Sequence, residues 1–235
     1  MRRLIGVAAM LFAATGPVRA QYDEPAHEGP SFESRYITLG AVNREFKPLG
    51  SNSLSDSLII RYTRIMPMIT YRQGMGELYF GYTTFTLSDG SKSTILFGGK
   101  FGTEVPLIGK RPSALLFPLV LAADYTKAEG IGPSREDFNI ASVGIGGGLK
   151  YRYFTRELEF TVEAVEFAQF ASEGIGVGNG FSGVTSGDAV LLWRDAGLLD
   201  GVVLGYRFRL QTWSMSETKF NYQSISHGPY LGIMF

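Results

Sequence analysis

The stretch that decides the fold is 142–166, SVGIGGGLKYRYFTRELEFTVEAVE. As far as Tyr153, most odd-numbered positions are apolar, and the positions between them hold Ser, Gly, Lys and Arg. After a break at 154–156 the alternation resumes, with apolar residues now alternating mainly with glutamates. A period of two residues is that of a β-strand, because successive side chains of a strand point to opposite faces. The stretch therefore predicts two antiparallel strands with one apolar face and one charged face.

A two-residue turn at Thr155-Arg156 would fix the register of this hairpin. Arg152 would then lie opposite Glu159, and Tyr151 opposite Phe160. Gly144, Gly146 and Gly148 share a face with the charged residues. Small barrels need small residues inside, because their interiors are crowded, so this arrangement favours a barrel with the charges inside over a sandwich with the charges in water.

The same alternation recurs along the chain and predicts an all-β fold, a single antiparallel up-and-down transmembrane β-barrel. We expect about ten strands, within a range of about eight to twelve. A one-residue change of phase near Met66-Pro67 predicts a β-bulge, and Pro118 fits poorly inside a strand because it lacks a donor N–H. The predicted strands are 34–43, 57–72, 77–87, 92–104, 114–126, 138–153, 157–170, 186–194, 201–213 and 226–235.

The connections between these strands alternate in length. Short turns on one side and long loops on the other are typical of transmembrane barrels. The exceptions are 88–91, which is short on the long-loop side, and 105–113, which is long on the short-turn side. The predicted long loops are 44–56, 127–137, 171–185 and 214–225, and the short turns are 73–76, 154–156 and 195–200.

The first 20 residues have the pattern of a cleavable signal peptide. Arg2 and Arg3 precede an apolar run, and Val18-Arg19-Ala20 places small residues at the cleavage site. The run is too short for a spanning helix. We therefore divide the chain into a signal peptide (1–20), a flexible lead-in (21–33) and the barrel (34–235).

Composition excludes several classes of function. Cleavage after residue 20 removes three arginines and no acid, which leaves 19 basic against 22 acidic residues and no basic excess for binding nucleic acid. The chain has no cysteine and two histidines, so we expect neither a metal site nor a cofactor. The glycine run 174–180 lacks the Lys-Ser/Thr ending of a phosphate-binding loop and is interpreted as part of an outer loop.

The C-terminus ends in Phe235, with apolar Ile233 and Leu231 at the two preceding alternate positions. This pattern resembles the assembly signal of bacterial outer-membrane β-barrel proteins. The resemblance implies an outer-membrane location, recognition by the barrel-assembly machinery, and membrane lipid as the surrounding partner. We expect a monomer. The resemblance to outer-membrane barrels does not extend to any subfamily of known activity.

Charged residues on the face that alternates with the apolar one are predicted to point into the lumen. Arg72 and Glu77 flank a short turn and are expected to face each other. Lumenal charges could line a path for ions or solutes, or they could form a packed polar plug, which narrow barrels favour. The predicted lumenal charges are Arg61, Arg72, Glu77, Lys100, Lys150, Arg152, Glu159, Glu163, Arg207 and Arg209.

Two further features have a structural and a functional interpretation. His227 is the candidate catalytic residue because Ser224 and Ser226 are near in sequence, but no third group that would orient the base is evident. Tyr151, Tyr153, Phe154, Trp193 and Phe235 are expected to gather near one membrane interface.

Four functions remain open at this point. The first is an integral outer-membrane barrel with a structural or surface-interaction role. The second is a porin-like narrow pore, and the third is an enzyme that modifies membrane lipid; the sequence does not decide whether the protein is an enzyme. The fourth is a soluble periplasmic barrel that binds an apolar ligand, in which Phe160, Val162, Tyr206 and Phe208 would point inward.

Overall fold

The computed structural model describes residues 34–50, 59–110, 112–130, 137–173, 177–196 and 199–235. Each strand pairs antiparallel with its sequence neighbours, and the first strand pairs with the last, which closes the barrel and confirms the predicted fold class. The predicted signal peptide and lead-in lie outside the described residues. The strands are β1 (Arg35–Pro48), β2 (Tyr62–Gln73), β3 (Gly76–Leu87), β4 (Gly90–Lys110), β5 (Ser113–Ala128), β6 (Phe138–Phe154), β7 (Leu158–Glu173), β8 (Val177–Ala196), β9 (Leu199–Met215) and β10 (Tyr222–Met234), with a short 3-10 turn at Thr218–Phe220.

The barrel has an apolar outer face and a tightly filled inner face of mixed polar and apolar side chains. In β7, exposed and buried residues alternate from Leu158 to Ala171, which is the two-residue period seen in the sequence. We call the exposed large apolar side chains of the outer face the apolar belt. Each strand contributes to it, for example Leu39, Ile69, Phe80, Phe97, Leu119, Ile145, Phe160, Leu191, Leu204 and Leu231.

The two ends of the barrel differ. At one end, here called the terminal end, β1 begins and β10 closes on it, with the Phe235 N–H donating to the Arg35 carbonyl at 3.1 Å. The connections there are 74–75, 111–112, 155–157 and 197–198. Those at the opposite, far end are 49–61, 88–89, 129–137, 174–176 and 216–221.

The register of the β6–β7 hairpin differs from the predicted one by two residues. Tyr151 pairs with Val162, and Arg152 pairs with Thr161, because the two-residue turn lies at Arg156-Glu157, one position later than predicted, with the Thr155 N–H donating to the Leu158 carbonyl at 2.7 Å. A shift of two residues leaves every side chain on its predicted face. Arg152 still reaches Glu159 diagonally, with Nε 3.3 Å from Oε1.

The predicted bulge in β2 is wrong. The β1–β2 register runs from Arg35–Gln73 to Phe46–Tyr62 without a shift. Arg61 precedes β2 and is exposed, so it does not belong to the lumenal charges. The change of phase arises because Thr63, near the far end of β2, lies on the outer face beyond the apolar part of the strand.

Several strands are longer than predicted, and the corresponding loops are shorter. The expected long turn 105–113 is wrong, because β4 continues to Lys110 and β5 begins at Ser113. Most of 171–185 is also in strands, as is part of the glycine run 174–180. The short connection predicted at 88–91 is present as 88–89.

Pro118 and Pro229 each lie within a strand and interrupt its pairing on one side. The β5–β6 ladder skips Phe117 and Pro118 and resumes in the same register. The β1–β10 ladder likewise skips Gly228 and Pro229. Proline has no N–H to donate, so each strand continues while losing local ladder bonds.

A close approach explains one inward glycine. Gly205 pairs with Tyr230 across β9 and β10, and a Cβ at Gly205 would collide with the Tyr230 ring. The absent side chain lets the ring lie flat along the inner wall.

Candidate functional site

The candidate site is a set of charged side chains on the inner face near the terminal end. They come from six strands, and all of them point inward because each occupies an inward-facing alternate position of its strand. We call this set the charge cluster: Arg72, Glu77, Lys100, Glu163, Asp188 and Arg207.

Glu163 is the acidic centre of the charge cluster. Its Oε1 accepts a hydrogen bond from Lys100 Nζ at 2.9 Å, and its Oε2 lies 3.6 Å from Arg72 Nη2. Lys150 Nζ lies 3.7 Å from the same oxygen. The side chain is buried, so one carboxylate neutralises parts of three cations away from bulk water.

Asp188 and Glu77 complete the neutralisation. Asp188 Oδ2 lies 3.2 Å from Arg72 Nη1, and its Oδ1 accepts a hydrogen bond from the Tyr230 hydroxyl at 2.7 Å. Glu77 Oε1 lies 3.1 Å from Arg207 Nη2. Arg72 and Glu77 also pair directly across the β2–β3 ladder, as predicted.

A second group of ion pairs lies around β6 and the neighbouring strand ends. Glu104 accepts hydrogen bonds from Lys150 and from Arg152, the latter at 3.2 Å. Glu159 lies 2.7 Å from Arg194 Nη2. Together with the charge cluster, this group contains all of the predicted lumenal charges except Arg61 and Arg209.

Arg209 belongs to a polar layer nearer the far end. The carboxylate of Asp124 accepts hydrogen bonds from Arg209, Gln169 and Gln211, each at 2.9 Å. Arg209 also donates to the Tyr79 hydroxyl at 2.8 Å. Asp124 and both glutamines are buried, and these bonds supply the partners that buried polar groups require.

Aromatic side chains fill the lumen at the far end. Phe46 stacks on Tyr62 and Tyr222, with ring centroids 5.5 and 4.8 Å apart. Phe138 meets Trp213 edge-on at 5.0 Å. We call this set the aromatic cluster; its buried members are Phe46, Tyr62, Phe85, Phe138, Trp213, Phe220 and Tyr222.

A small cavity remains among the inner side chains. Its volume is about 40 Å³, and its lining includes Glu77, Lys100, Asp188 and Arg209. A water molecule needs a probe-occupied volume of roughly 10–15 Å³, so the cavity has room for a few waters. It is far smaller than the clefts of about 300–1,000 Å³ that hold small-molecule ligands.

His227 lies on the outer face, opposite to the neighbouring serines. Its Nδ1 is 2.7 Å from the Tyr206 hydroxyl, whereas Ser224 and Ser226 are buried on the inner face. Adjacent strand residues point to opposite sides of the wall, so His227 and these serines cannot form a nucleophile–base pair. The suggested Ser–His pairing is therefore wrong.

The residues of the predicted assembly signal and most of the predicted interfacial aromatic residues lie on the outer face. Leu231, Ile233 and Phe235 are exposed on the outer face, where Leu231 pairs with Leu39 and Ile233 with Ile37. Tyr151, Tyr153, Trp193 and Phe235 are exposed near the terminal end. Within the described ranges, no cluster of His, Asp and Glu could hold a metal ion, and no helix is long and apolar enough to cross a membrane.

Sequence reasoning missed several inner-face residues. Asp188 lies in a predicted strand, and Asp124 in another, so parity alone could have identified both. Glu104 and Arg194 stood at predicted strand ends, where the faces were not assigned. Arg44 falls in the predicted loop 44–56, although it lies on β1 and is buried.

The chain is similar in structure to several solved barrel proteins. No family model matches the chain, and no curated protein matches it. The outer-membrane protease OmpT from Escherichia coli is 10% identical, with a TM-score of 0.40 over 86% of this chain and 96% of that one. Neisserial surface protein A is 14% identical, with a TM-score of 0.31 over 86% and 97% of the two chains. The β domain of the Bordetella autotransporter BrkA is 11% identical, with a TM-score of 0.35 over 86% and 99%. The fold assignment rests on the strand pairing of this chain itself.

Proposed function

We propose that this chain is an integral protein of the bacterial outer membrane whose lumen is plugged by its own side chains. Its role is structural or surface-interacting, and the connections at the far end form its contact surface. The observation that carries the proposal is the inverted pattern of burial: large apolar residues are exposed around the whole barrel while ion pairs are buried inside it.

The apolar belt supports membrane insertion. Leu39 and Ile145 are each 67% exposed, and comparable side chains surround the barrel on every strand. In water, an apolar surface that large would drive aggregation, whereas lipid covers it at no cost. The sheet also closes on itself, so neither β1 nor β10 is left as an outermost strand in lipid.

The filled lumen favours a plug over a pore. The charge cluster and the polar layer span the lumen with direct contacts between opposite walls, such as Arg209 on β9 to Tyr79 on β3. The aromatic cluster lies beyond them toward the far end. A solute would have to break these contacts to pass.

The fourth interpretation, a soluble barrel with an apolar interior, requires the apolar side chains to point inward and the charged ones to point outward. Phe160, Val162, Tyr206 and Phe208 are exposed, and Glu163 is buried. The structure therefore contradicts the inward placement on which that interpretation depends.

Fractionation combined with a heat-modifiability gel tests the proposal. The full chain is expressed in a bacterium with an outer membrane, and the membranes are separated on a density gradient. We expect the protein in the outer-membrane fraction, with different gel mobilities before and after boiling because the closed barrel resists detergent. Recovery in the soluble periplasmic fraction, or a mobility that boiling does not change, would refute the proposal.

A further inference from the structure

Two arginines lie directly opposite each other at the far end of the β1–β2 ladder. Arg44 on β1 pairs with Arg64 on β2. Arg44 is buried, with 1% of its surface exposed, whereas Arg64 is exposed although it shares the parity of the buried residues of β2. Like charges in directly opposed positions destabilise a ladder.

Neither arginine has a carboxylate partner among the described residues. Arg44 donates from Nε to Ser224 Oγ at 3.1 Å, and its Nη1 lies 3.6 Å from the Met66 sulfur. Its guanidinium is 5.8 Å from the centre of the Phe46 ring. The other described inner-face arginines contrast with it, since each lies within 4 Å of an acidic oxygen. A buried cation without a counter-charge costs several kcal/mol in general, so an anion is expected to complete the site.

Beside this pair, the backbone ladder between two strands stops short of their far ends. The β2–β3 ladder runs from Gln73–Gly76 to Met68–Gly81 and stops, which leaves 62–67 of β2 and 82–87 of β3 outside it. Pro67 stands where the pairing ends and has no N–H to continue it. We call this gap the β2–β3 seam.

Apolar and aromatic groups flank the arginine pair and the seam. Across the seam, the Tyr62 and Phe85 rings stack at 4.2 Å, and the Thr83 hydroxyl donates to the Ile65 carbonyl at 3.0 Å. The neighbouring same-face pairs of the β1–β2 ladder are Phe46–Tyr62 on one side and Val42–Met66 on the other. The site therefore combines a pair of cations with an apolar surround of inner-face side chains beside the β2–β3 seam.

We propose that Arg44 and Arg64 bind the anionic head of an amphiphile, a carboxylate or phosphate carried on an acyl chain, and that it reaches them from the membrane through the β2–β3 seam. The guanidinium pair supplies hydrogen bonds and charge for the head group. The rings and Met66 cover the adjoining part of the chain. The proposal goes beyond the plugged barrel and uses its membrane placement for the route alone.

Quenching of tryptophan fluorescence tests this site. Trp193 and Trp213 are the two tryptophans of the chain, and Trp213 is fully buried with its ring 6.1 Å from that of Phe46. The full chain with Trp193→Phe is reconstituted in phosphatidylcholine bilayers, and a brominated fatty acid, a brominated phosphatidic acid or a brominated fatty-acid methyl ester is added. We expect saturable quenching of Trp213 by one or both acids and none by the uncharged ester. The two acid arms distinguish a free carboxylate from a lipid phosphate.

Variants of the pair supply the controls. Arg44→Met should raise the half-saturating concentration of the acid at least tenfold, and Arg44→Lys should restore part of the binding. Arg61→Met, which replaces an exposed arginine outside the strands, should leave the quenching unchanged. In bilayers without the acids, Arg44→Met should unfold at an equal or higher urea concentration, since an unpaired buried charge has been removed. Equal quenching by ester and acid, or a lower urea midpoint of Arg44→Met with unchanged quenching, would overturn the proposal.

The route is tested separately. Ile65→Cys with Thr84→Cys places thiols on either side of the β2–β3 seam, and Ile69→Cys with Phe80→Cys places them in the paired half of the same two strands. Cross-linking the first pair with a short bifunctional thiol reagent should slow quenching of Trp213 by the acid, whereas cross-linking the second should not. Equal rates in both would refute entry through the seam. Failure of the fractionation experiment would instead refute membrane placement, so the two proposals fail by different observations.

Discussion

At the scale of single residues, Glu163 lies within 4 Å of more cationic side chains than any other carboxylate described above. It approaches Lys100, Arg72 and Lys150 from one position on β7. Replacing it by glutamine keeps the shape of the side chain and leaves these cations with less counter-charge. Removal of one member of a buried ion pair typically costs about 3–5 kcal/mol.

We therefore predict that Glu163→Gln lowers the free energy of unfolding of the refolded barrel by about 3–5 kcal/mol, measured by urea titration in bilayers. Glu157→Gln is the matched control, because Glu157 is exposed in the β6–β7 turn and should change stability by about 0.5 kcal/mol or less. Adding Lys100→Met to Glu163→Gln should recover part of the loss. A loss no larger than that of the control would show that the ion pairs contribute little.

Gly205 gives a second prediction at this scale, based on steric fit. A methyl group at Gly205 would displace the Tyr230 ring and with it the hydroxyl that donates to Asp188. We expect Gly205→Ala to destabilise the barrel by about 1–3 kcal/mol, as overpacking usually does. Gly183→Ala is the control, because the nearest atom to its added Cβ would be Thr212 Oγ1 at 3.4 Å. Equal urea midpoints for the two variants would contradict the packing seen at Tyr230.

At the scale of strands, closure between β1 and β10 is directly testable because the chain has no cysteine. Leu39 and Leu231 pair directly on the outer face. We expect Leu39→Cys with Leu231→Cys to form a disulfide in the folded protein on oxidation, detected by a mobility shift of the boiled, unreduced chain.

Leu39→Cys with Leu204→Cys is the control for this cross-link. Leu204 pairs with Leu231 from the other side, so it lies two strands from Leu39. Strands are spaced about 4.8 Å apart, and a disulfide requires Cα atoms within about 7 Å. Cross-linking of the control pair but not of the first pair would contradict the closed barrel.

Strand parity explains how much of this structure the sequence could predict. The face of Lys150, Glu159 or Phe160 follows from the two-residue period alone, and a register error of two residues in the β6–β7 hairpin did not alter it. The ends of strands could not be predicted this way, because polar residues such as Thr63 can face outward once a strand extends beyond the apolar belt.

The partners of the inner charges were also beyond sequence reasoning. Glu163 meets Lys100 across the lumen, and Asp124 meets Arg209 from far along the chain. Such contacts depend on which strands face each other across the closed barrel, and no local pattern encodes that. The pairing of Arg44 with Arg64 could not be predicted for a different reason, because Arg44 falls in a predicted loop although it lies on β1.

At the scale of the whole molecule, the barrel is a wall of ten strands around three kinds of filling. The charge cluster lies toward the terminal end, the polar layer of Asp124 follows, and the aromatic cluster occupies the far end. Each layer bridges strands from different sides of the barrel. An ion that entered from either end would have to displace both paired charges and buried rings, and both oppose its passage energetically.

This filling predicts that the protein conducts no ions. In planar lipid bilayers, the reconstituted full chain should produce no stepwise current in 1 M KCl across the usual range of voltages, whereas an open porin reconstituted in the same way should. The cavity of about 40 Å³ has room for a few waters but none for a hydrated ion to move along the axis. High salt should not open a path, since buried pairs are screened much less than exposed ones. Regular conductance steps that disappear when the protein is omitted would mean that the inner side chains rearrange in the membrane, and the narrow-pore function would then replace the plugged barrel.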